Sequence, residues 1–217
     1  GIALDCFGIG WEGYNDNLLE VLARNGDGRY GFLNQPGQAV EEFEKKLLGA
    51  FQVAASDVKV QVEWNEKRVK VYRQVGYLRH QLKKEDFRNN RVDAAEISAA
   101  ESGNAMYVVQ VDAGGEGPLG VVRVRYKKPF TSEYTELEWS LAYEEAVLPL
   151  GQSSTAMKMA SVSATFAEWL ARTPYSEGVQ LADLQGLMAG LASVYGTDPR
   201  PAQLEEMIRK ARILVGN

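Results

Sequence analysis

Period-two alternation between Val58 and Val75 constrains this chain more than any other feature. Val58, Val60, Val62 and Trp64 alternate with polar residues, and Val69, Val71 and Val75 share one parity in the next run, with Arg73 among them. Branched and aromatic residues at every second position belong to half-buried strands. Asn65-Glu66-Lys67 supplies a turn, so the two runs are expected to pair as a hairpin. Gly76-Tyr77 ends the alternation, and a charged segment follows from His80 to Glu96. Its apolar residues Leu82, Phe87 and Val92 are expected to pin a long connection.

The residues before this stretch follow another grammar. Ile2–Ile9 reads as a buried strand, Leu18, Leu19, Val21 and Leu22 as a helix fronted by Asn15 or Asp16, and Arg29–Leu33 as a second strand. Gly26 and Gly28 are expected to end the helix with a left-handed cap. Gln38–Phe51 reads as a second helix, with Val40, Phe43, Leu47 and Phe51 inside and the pairs Glu41–Lys45 and Glu42–Lys46 outside. Strand, helix, strand, helix is the order of a parallel α/β sheet. Gly8, Gly10 and Gly13 spell a G-x-G-x-x-G phosphate motif. A carboxylate at Asp16, where the helix opens, competes with a pyrophosphate, so the glycines are read as a turn.

After the central stretch come Ala105–Val111, a glycine-rich turn from Asp112 to Pro118, and the runs Leu119–Tyr126 and Thr135–Tyr143, expected as antiparallel neighbours. Five short strands with polar turns imply a β-sandwich or open barrel. From Ser153 the period becomes 3.6. Ala156, Met159, Ala160, Ser163, Phe166, Ala167 and Leu170 form one stripe, Leu181, Leu184, Met188 and Leu191 a second, and Leu204, Met207, Ile208 and Ala211 a third after Asp198-Pro199. Glu205–Arg209 and Glu206–Lys210 are the expected exposed pairs of the last helix. Three short helices bury little alone, so they are expected to pack on the preceding domains. The fold class is therefore α+β: a partial α/β segment over residues 1–51, an antiparallel β-sandwich-like domain over 52–150, and a helical tail over 151–217 packed on them.

Composition narrows the function. The net charge is −5 over 217 residues, which disfavours nucleic acid as a partner because no counterions are released to an acidic chain. No apolar run approaches the roughly 20 residues a membrane helix needs, so no membrane insertion is expected. Cys6 is the one cysteine and sits in an apolar run, where it reads as a small buried hydrophobe. His80 is the one histidine, which excludes a multi-histidine metal site. Gly1-Ile2 enters directly into a strand-like run, as expected of a chain that continues upstream.

These motifs together resemble the bacterial YfbK-like von Willebrand factor A proteins. Residues 1–51 are similar to the end of an A domain through Gly8-Ile9-Gly10, Tyr14-Asn15-Asp16, Leu19-Glu20, Leu22-Ala23 and Gly26-Asp27-Gly28-Arg29-Tyr30. The following domain resembles the family through Val53-Ala54, Asp57-Val58-Lys59, Val60-x-Val62-x-Trp64-Asn65 and Val69-x-x-Tyr72-Arg73-x-x-Gly76-Tyr77. The likeness continues through Glu85-Asp86-Phe87, Asp93-Ala94-x-Glu96-Ile97, Ala105-x-Tyr107, Arg125-Tyr126-Lys127-x-Pro129, and the tail around Phe166 and Leu170. The resemblance implies that an A domain's Asp-x-Ser-x-Ser metal motif lies upstream, so neither metal nor cofactor is expected in this chain. The chain departs from the family around Asp93, where Ala95, Ser98 and Ala100 stand in place of favoured glycines and Glu101 in place of a histidine.

The resemblance implies a non-enzymatic interaction and scaffold module, in the bacterial cell envelope or secreted, with a protein partner whose identity the sequence does not give. Arg73, Asp86, Asp93 and Glu96 are the candidate interaction or structural polar cluster. Arg73, among apolar neighbours on a strand, is expected to pair with one of these carboxylates, since charges in such surroundings need partners. Two other readings stay open. One is an enzyme built on the closely spaced acids Asp86, Asp93, Glu96 and Glu101, although no Gly-x-Ser-x-Gly elbow is present. The other is self-association through residues 1–51, where an open sheet edge invites a second copy.

Overall fold

A computed structural model of the chain describes residues 4–10, 15–26, 28, 30–33, 40, 53–76, 82–92, 94–98, 102–196 and 198–216. The chain forms two compact units of three segments each. Residues 1–63, 82–103 and 121–140 make the first, and residues 64–81, 104–120 and 141–217 the second. The three consecutive blocks expected from the sequence cut across this arrangement.

In the first unit, β1 (Cys6–Ile9), α1 (Asp16–Asn25) and β2 (Tyr30–Leu33) form the expected strand–helix–strand. The strands run parallel, with Cys6 opposite Tyr30 and Ile9 opposite Leu33, and Cys6 is buried. Asn15 caps α1, its side-chain oxygen accepting from the Leu18 N–H at 3.1 Å. Gly26 and Gly28 serve another purpose than the expected left-handed cap. Neither has a positive φ, and a Cβ on Gly28 would lie 2.0 Å from the Leu4 carbonyl oxygen. The chain leading into β1 passes so close that only glycine fits, and the Leu4 N–H donates to the Gly26 carbonyl at 2.8 Å. The second helix, expected over 38–51, lies outside the described residues apart from Val40, which is helical and exposed.

Six strands follow: β3 (Val53–Trp64), β4 (Val69–Val75), β5 (Ala95–Ser98), β6 (Met106–Val111), β7 (Gly120–Lys127) and β8 (Tyr134–Leu141). They form a four-stranded sheet in the order β5-β3-β7-β8 and a two-stranded sheet of β4 and β6. The expected antiparallel β7–β8 neighbours are present. The expected β3–β4 hairpin is not: β4 pairs antiparallel with β6, from Val69 opposite Val111 to Val75 opposite Met106. The turn residue Asn65 accounts for the change. Its backbone N–H donates to the Leu119 carbonyl at 2.9 Å, and its side-chain amide donates to the carbonyls of Glu116 and Pro118 at 2.7 and 2.8 Å. The turn is thus committed to the glycine-rich segment that joins β6 to β7, and β4 leaves beside β6.

The charged connection contains a 3-10 turn, Lys84–Arg88, and then β5. Phe87 is its buried anchor, whereas Leu82 is exposed and does not pin it.

The helices of the second unit are α2 (Thr155–Leu170), α3 (Leu181–Met188), α4 (Leu191–Val194) and α5 (Arg200–Val215). Ser154 caps α2, accepting from the Met157 N–H at 3.2 Å. Gly190, with φ +77°, separates α3 from α4, a left-handed position suited to glycine. The expectation that these helices bury little alone is corrected. Among the described residues, Val162, Phe166, Leu181, Leu184, Met188, Leu191 and Ile208 form one buried apolar cluster, all of it helical. Each such side chain contributes about 1.5–3 kcal/mol on burial. The second stripe is as expected, but the first is rotated: Val162 joins Phe166 inside, Leu170 is exposed, and Ser163 turns its hydroxyl back to the Met159 carbonyl. On α5, Ile208 is buried while Met207 is exposed.

Candidate functional site

The least expected feature of the first unit lies on β3. Alternation placed Val58, Val60 and Val62 inward, yet Lys59 is 1% exposed and Val60 is 49% exposed. The inversion begins at Asp57, whose φ of +49° is left-handed, and the β3–β5 register shifts on either side of Ala55. A local slip turns adjacent side chains to opposite faces, and here it reverses Lys59 and Val60, while Val62 and Trp64 stay half-buried and Glu63 exposed as the alternation expects. Lys59 is then held by the Asp57 carboxylate at 3.2 Å and donates to the Asn89 carbonyl at 2.7 Å. The Tyr134 hydroxyl donates to the other Asp57 oxygen at 2.7 Å. Arg125, also buried, lies over the Tyr134 ring with its guanidinium 3.8 Å from the centroid, and donates to the Asn90 side chain at 2.6 Å. The hydrogen bond to Asp57 is the main reason the Tyr134 phenol titrates above its ordinary value.

A lattice of ion pairs joins β3, β7 and β8 to the Lys84–Arg88 turn. Arg123 bridges Glu63 and Glu138, Lys84 pairs with Glu63 at 3.3 Å, and Arg88 grips Glu136 with two N–H donors at 2.6 and 3.0 Å. Glu63 is held below the ordinary carboxylate range, first by its hydrogen bond from Arg123, and Glu136 by that from Arg88. An acid, an amine and a phenol within bonding distance resemble a catalytic set. However, the Lys59 side chain has no solvent exposure, and a general base must reach its substrate. The arrangement as it stands holds three strands and the 84–92 connection together.

In the second unit Arg68 is buried and Arg73 half-buried, and both are bonded within the fold. Arg68 donates to the carbonyls of Gly117, Asp112 and Ala113 at 2.9–3.2 Å and lies over Tyr143, 3.9 Å from its ring centroid. It fixes the glycine-rich turn, whose Gly115 passes so near Lys67 that a Cβ would sit 2.2 Å from its carbonyl oxygen. Arg73 forms a two-pronged pair with Glu168 on α2 at 2.5 and 3.3 Å and lies over Tyr175 at 3.8 Å.

The residues singled out from the sequence are therefore not one cluster among the described residues. Arg73 belongs to the second unit, and its described partner is Glu168, not Asp86 or Glu96. Asp86 is in the first unit, in the 3-10 turn, where it accepts weakly from the Asn89 amide at 3.4 Å. Glu96 is exposed on β5. Asp93, Glu101 and His80 lie outside the described residues. Lys59, Asp57, Arg125 and Tyr134 were missed as a set. Asp57-Val58-Lys59 and Arg125-Tyr126 are among the motifs that carried the resemblance, which was the available signal.

The second unit has two concavities of note. One, of about 680 Å³, is lined by Trp169, Leu170, Thr173, Pro174 and Val215 among others. The other, of about 520 Å³, is lined by Val111, Leu119, Glu144, Glu145, Val147 and Leu148 among others. The first has Thr173 in its wall, and the second is mainly apolar with two carboxylates.

The chain belongs to the family described as the C-terminal region of the uncharacterized protein YfbK, whose model matches residues 49–117 and 110–214. A relative in Escherichia coli (strain K12), the uncharacterized protein YfbK, is 35% identical over 101 residues, which is 46% of this chain and 18% of that protein. A solved structure described as von Willebrand factor type A from Catenulispora acidiphila matches 96% of this chain and 51% of its own length, at 16% identity and a TM-score of 0.48. The chain thus spans less than two thirds of either relative's length.

Proposed function

We propose that this chain is a non-enzymatic interaction module that accompanies a von Willebrand A domain in the bacterial cell envelope. One observation carries the reading: in both units the buried cations are committed to internal partners, while large apolar side chains remain in water. Lys59, Arg68 and Arg125 are buried and bonded within the fold, whereas Phe130 is 97% exposed and Val147 84%. A module of this kind offers surface for recognition and keeps its charges for its own architecture. Residues 1–51 are taken as the closing part of the A domain, a role that the parallel β1–α1–β2 arrangement supports. The partner is then a protein bound chiefly through apolar contacts.

Two measurements test the proposal. Cell fractionation of the tagged full-length protein should place it with the envelope; recovery in the cytosol overturns that part. Thermal unfolding with Mg²⁺, Mn²⁺ or Ca²⁺ at matched ionic strength should leave the melting temperature unchanged, because a ligand that binds only the folded state must raise it. A specific rise with one cation would move the reading to metal-dependent adhesion by this chain itself.

A further inference from the structure

We infer that the chain self-associates head to tail, with the β7–β8 hairpin tip of one copy seated in the apolar groove beside β8 of the next. This goes beyond the interaction module proposed above, because it names the occupant and requires no other protein.

The tip is a preformed anchor. The Lys128 N–H donates to the Glu133 carbonyl at 2.9 Å, and the Thr131 N–H donates back to the Lys128 carbonyl at 3.2 Å. The Thr131 hydroxyl also donates to that carbonyl, at 3.1 Å, and accepts from the Glu133 N–H at 3.1 Å. Lys128 and Glu133 close the loop with an ion pair at 3.0 Å. Phe130 stands in this fixed loop with φ +60°, a left-handed position that glycine or asparagine would occupy with less strain. Its ring is 97% exposed, so among the described residues no contact compensates either the strain or the exposure. A rigid, solvated aromatic on a closed loop loses little conformational freedom on binding, which is the property of an interface hot spot.

The groove has the matching chemistry. Val111, Leu119, Val147 and Leu148 supply an apolar lining, Glu144 and Glu145 supply carboxylates, and about 520 Å³ exceeds the volume of a phenyl ring. Lys127 and Lys128 precede the phenylalanine and Glu133 follows it, which leaves the tip net positive toward the two groove carboxylates. A ring that is 97% exposed is not seated in any groove of the described residues. A lipid surface fits less well, because the tip offers one aromatic and no amphipathic helix. Where each tip enters the groove of a different copy, the contact is heterologous and builds a ring or an open filament.

Sedimentation of the whole chain from about micromolar to about millimolar concentration tests this. The expected result is a mass that rises with concentration. Phe130→Gly, which suits the left-handed backbone and should leave the fold intact, is expected to weaken association roughly thirtyfold. Leu148→Asp, on the exposed rim of the groove, should do the same. Each variant keeps one half of the contact, so a mixture of the two should give one-to-one heterodimers and nothing larger. A monomeric wild type at all concentrations overturns the inference. So does association that survives both variants, which would instead assign it to residues 1–51. Phe130→Gly altering vesicle binding while self-association stays unchanged also overturns it, in favour of a lipid surface.

Discussion

Asp57→Asn perturbs the most committed group of the first unit. The substitution keeps the side-chain shape, an acceptor for the Tyr134 hydroxyl, and a residue that tolerates the left-handed backbone at φ +49°. It removes only the charge facing Lys59, whose side chain has no solvent exposure. Breaking a buried pair costs about 3–5 kcal/mol, because the remaining charge is left without compensation. The Asn89 carbonyl still accepts from Lys59 at 2.7 Å, so the low end applies, about 3 kcal/mol. For a chain of this size each kcal/mol lowers the melting temperature by about 2–4 °C, which predicts a fall of roughly 6–12 °C. Differential scanning calorimetry at neutral pH reads it directly. Lys59→Met is the companion variant: it replaces the ammonium with an apolar chain of similar length and should cost less than Asp57→Asn. The double variant should melt above Asp57→Asn alone, since the uncompensated charge is gone. An Asp57→Asn protein that melts within about 1 °C of the wild type would refute the reasoning, for the pair would then contribute nothing measurable.

The other predictions concern separate parts of the chain. Glu206 pairs with Arg209 at 2.7 Å and Lys210 at 3.5 Å, and the Arg209 hydrogen bond holds its carboxyl down to about 2, against an ordinary 4.5. A depressed carboxyl favours the folded state above its unfolded value, so this contribution is complete above pH about 4.5 and fades as pH falls toward about 2. Side-chain NMR titration should place the midpoint there, and Arg209→Gln should return it toward the ordinary value. Arg68→Met should cost about 2–4 kcal/mol in urea unfolding, because three turn carbonyls lose a charged donor at once. Gly115→Ala should destabilise the same turn, as its Cβ would collide with the Lys67 carbonyl; a crystal structure of the variant with an unmoved Lys67 would refute the contact. Charge reversal of Arg73 to Glu should lower the melting temperature, and unchanged melting would show that its pairing with Glu168 holds nothing.

The sequence by itself determined the kinds of elements and their order. Period two marked β3 and β4, short runs between polar turns marked β6, β7 and β8, and period 3.6 marked α2, α3 and α5, because each element must present an apolar face and its geometry sets the spacing. Leu181, Leu184, Met188 and Leu191 were legible as core for that reason. Partner choice was not legible. Asn65 commits its turn to residues 116–119, so two strands adjacent in the chain enter different sheets, a consequence of hydrogen bonds reaching some fifty residues away. Burial on β3 was decided by a single left-handed residue, which turned Lys59 inward and Val60 outward against the reading of the valines. Arg73 found Glu168 at a separation of 95 residues, where local spacing gives no guidance. Periodicity is a local property and survives in the sequence. The pairing of charges is a property of distances in three dimensions, and only the tertiary structure supplies those.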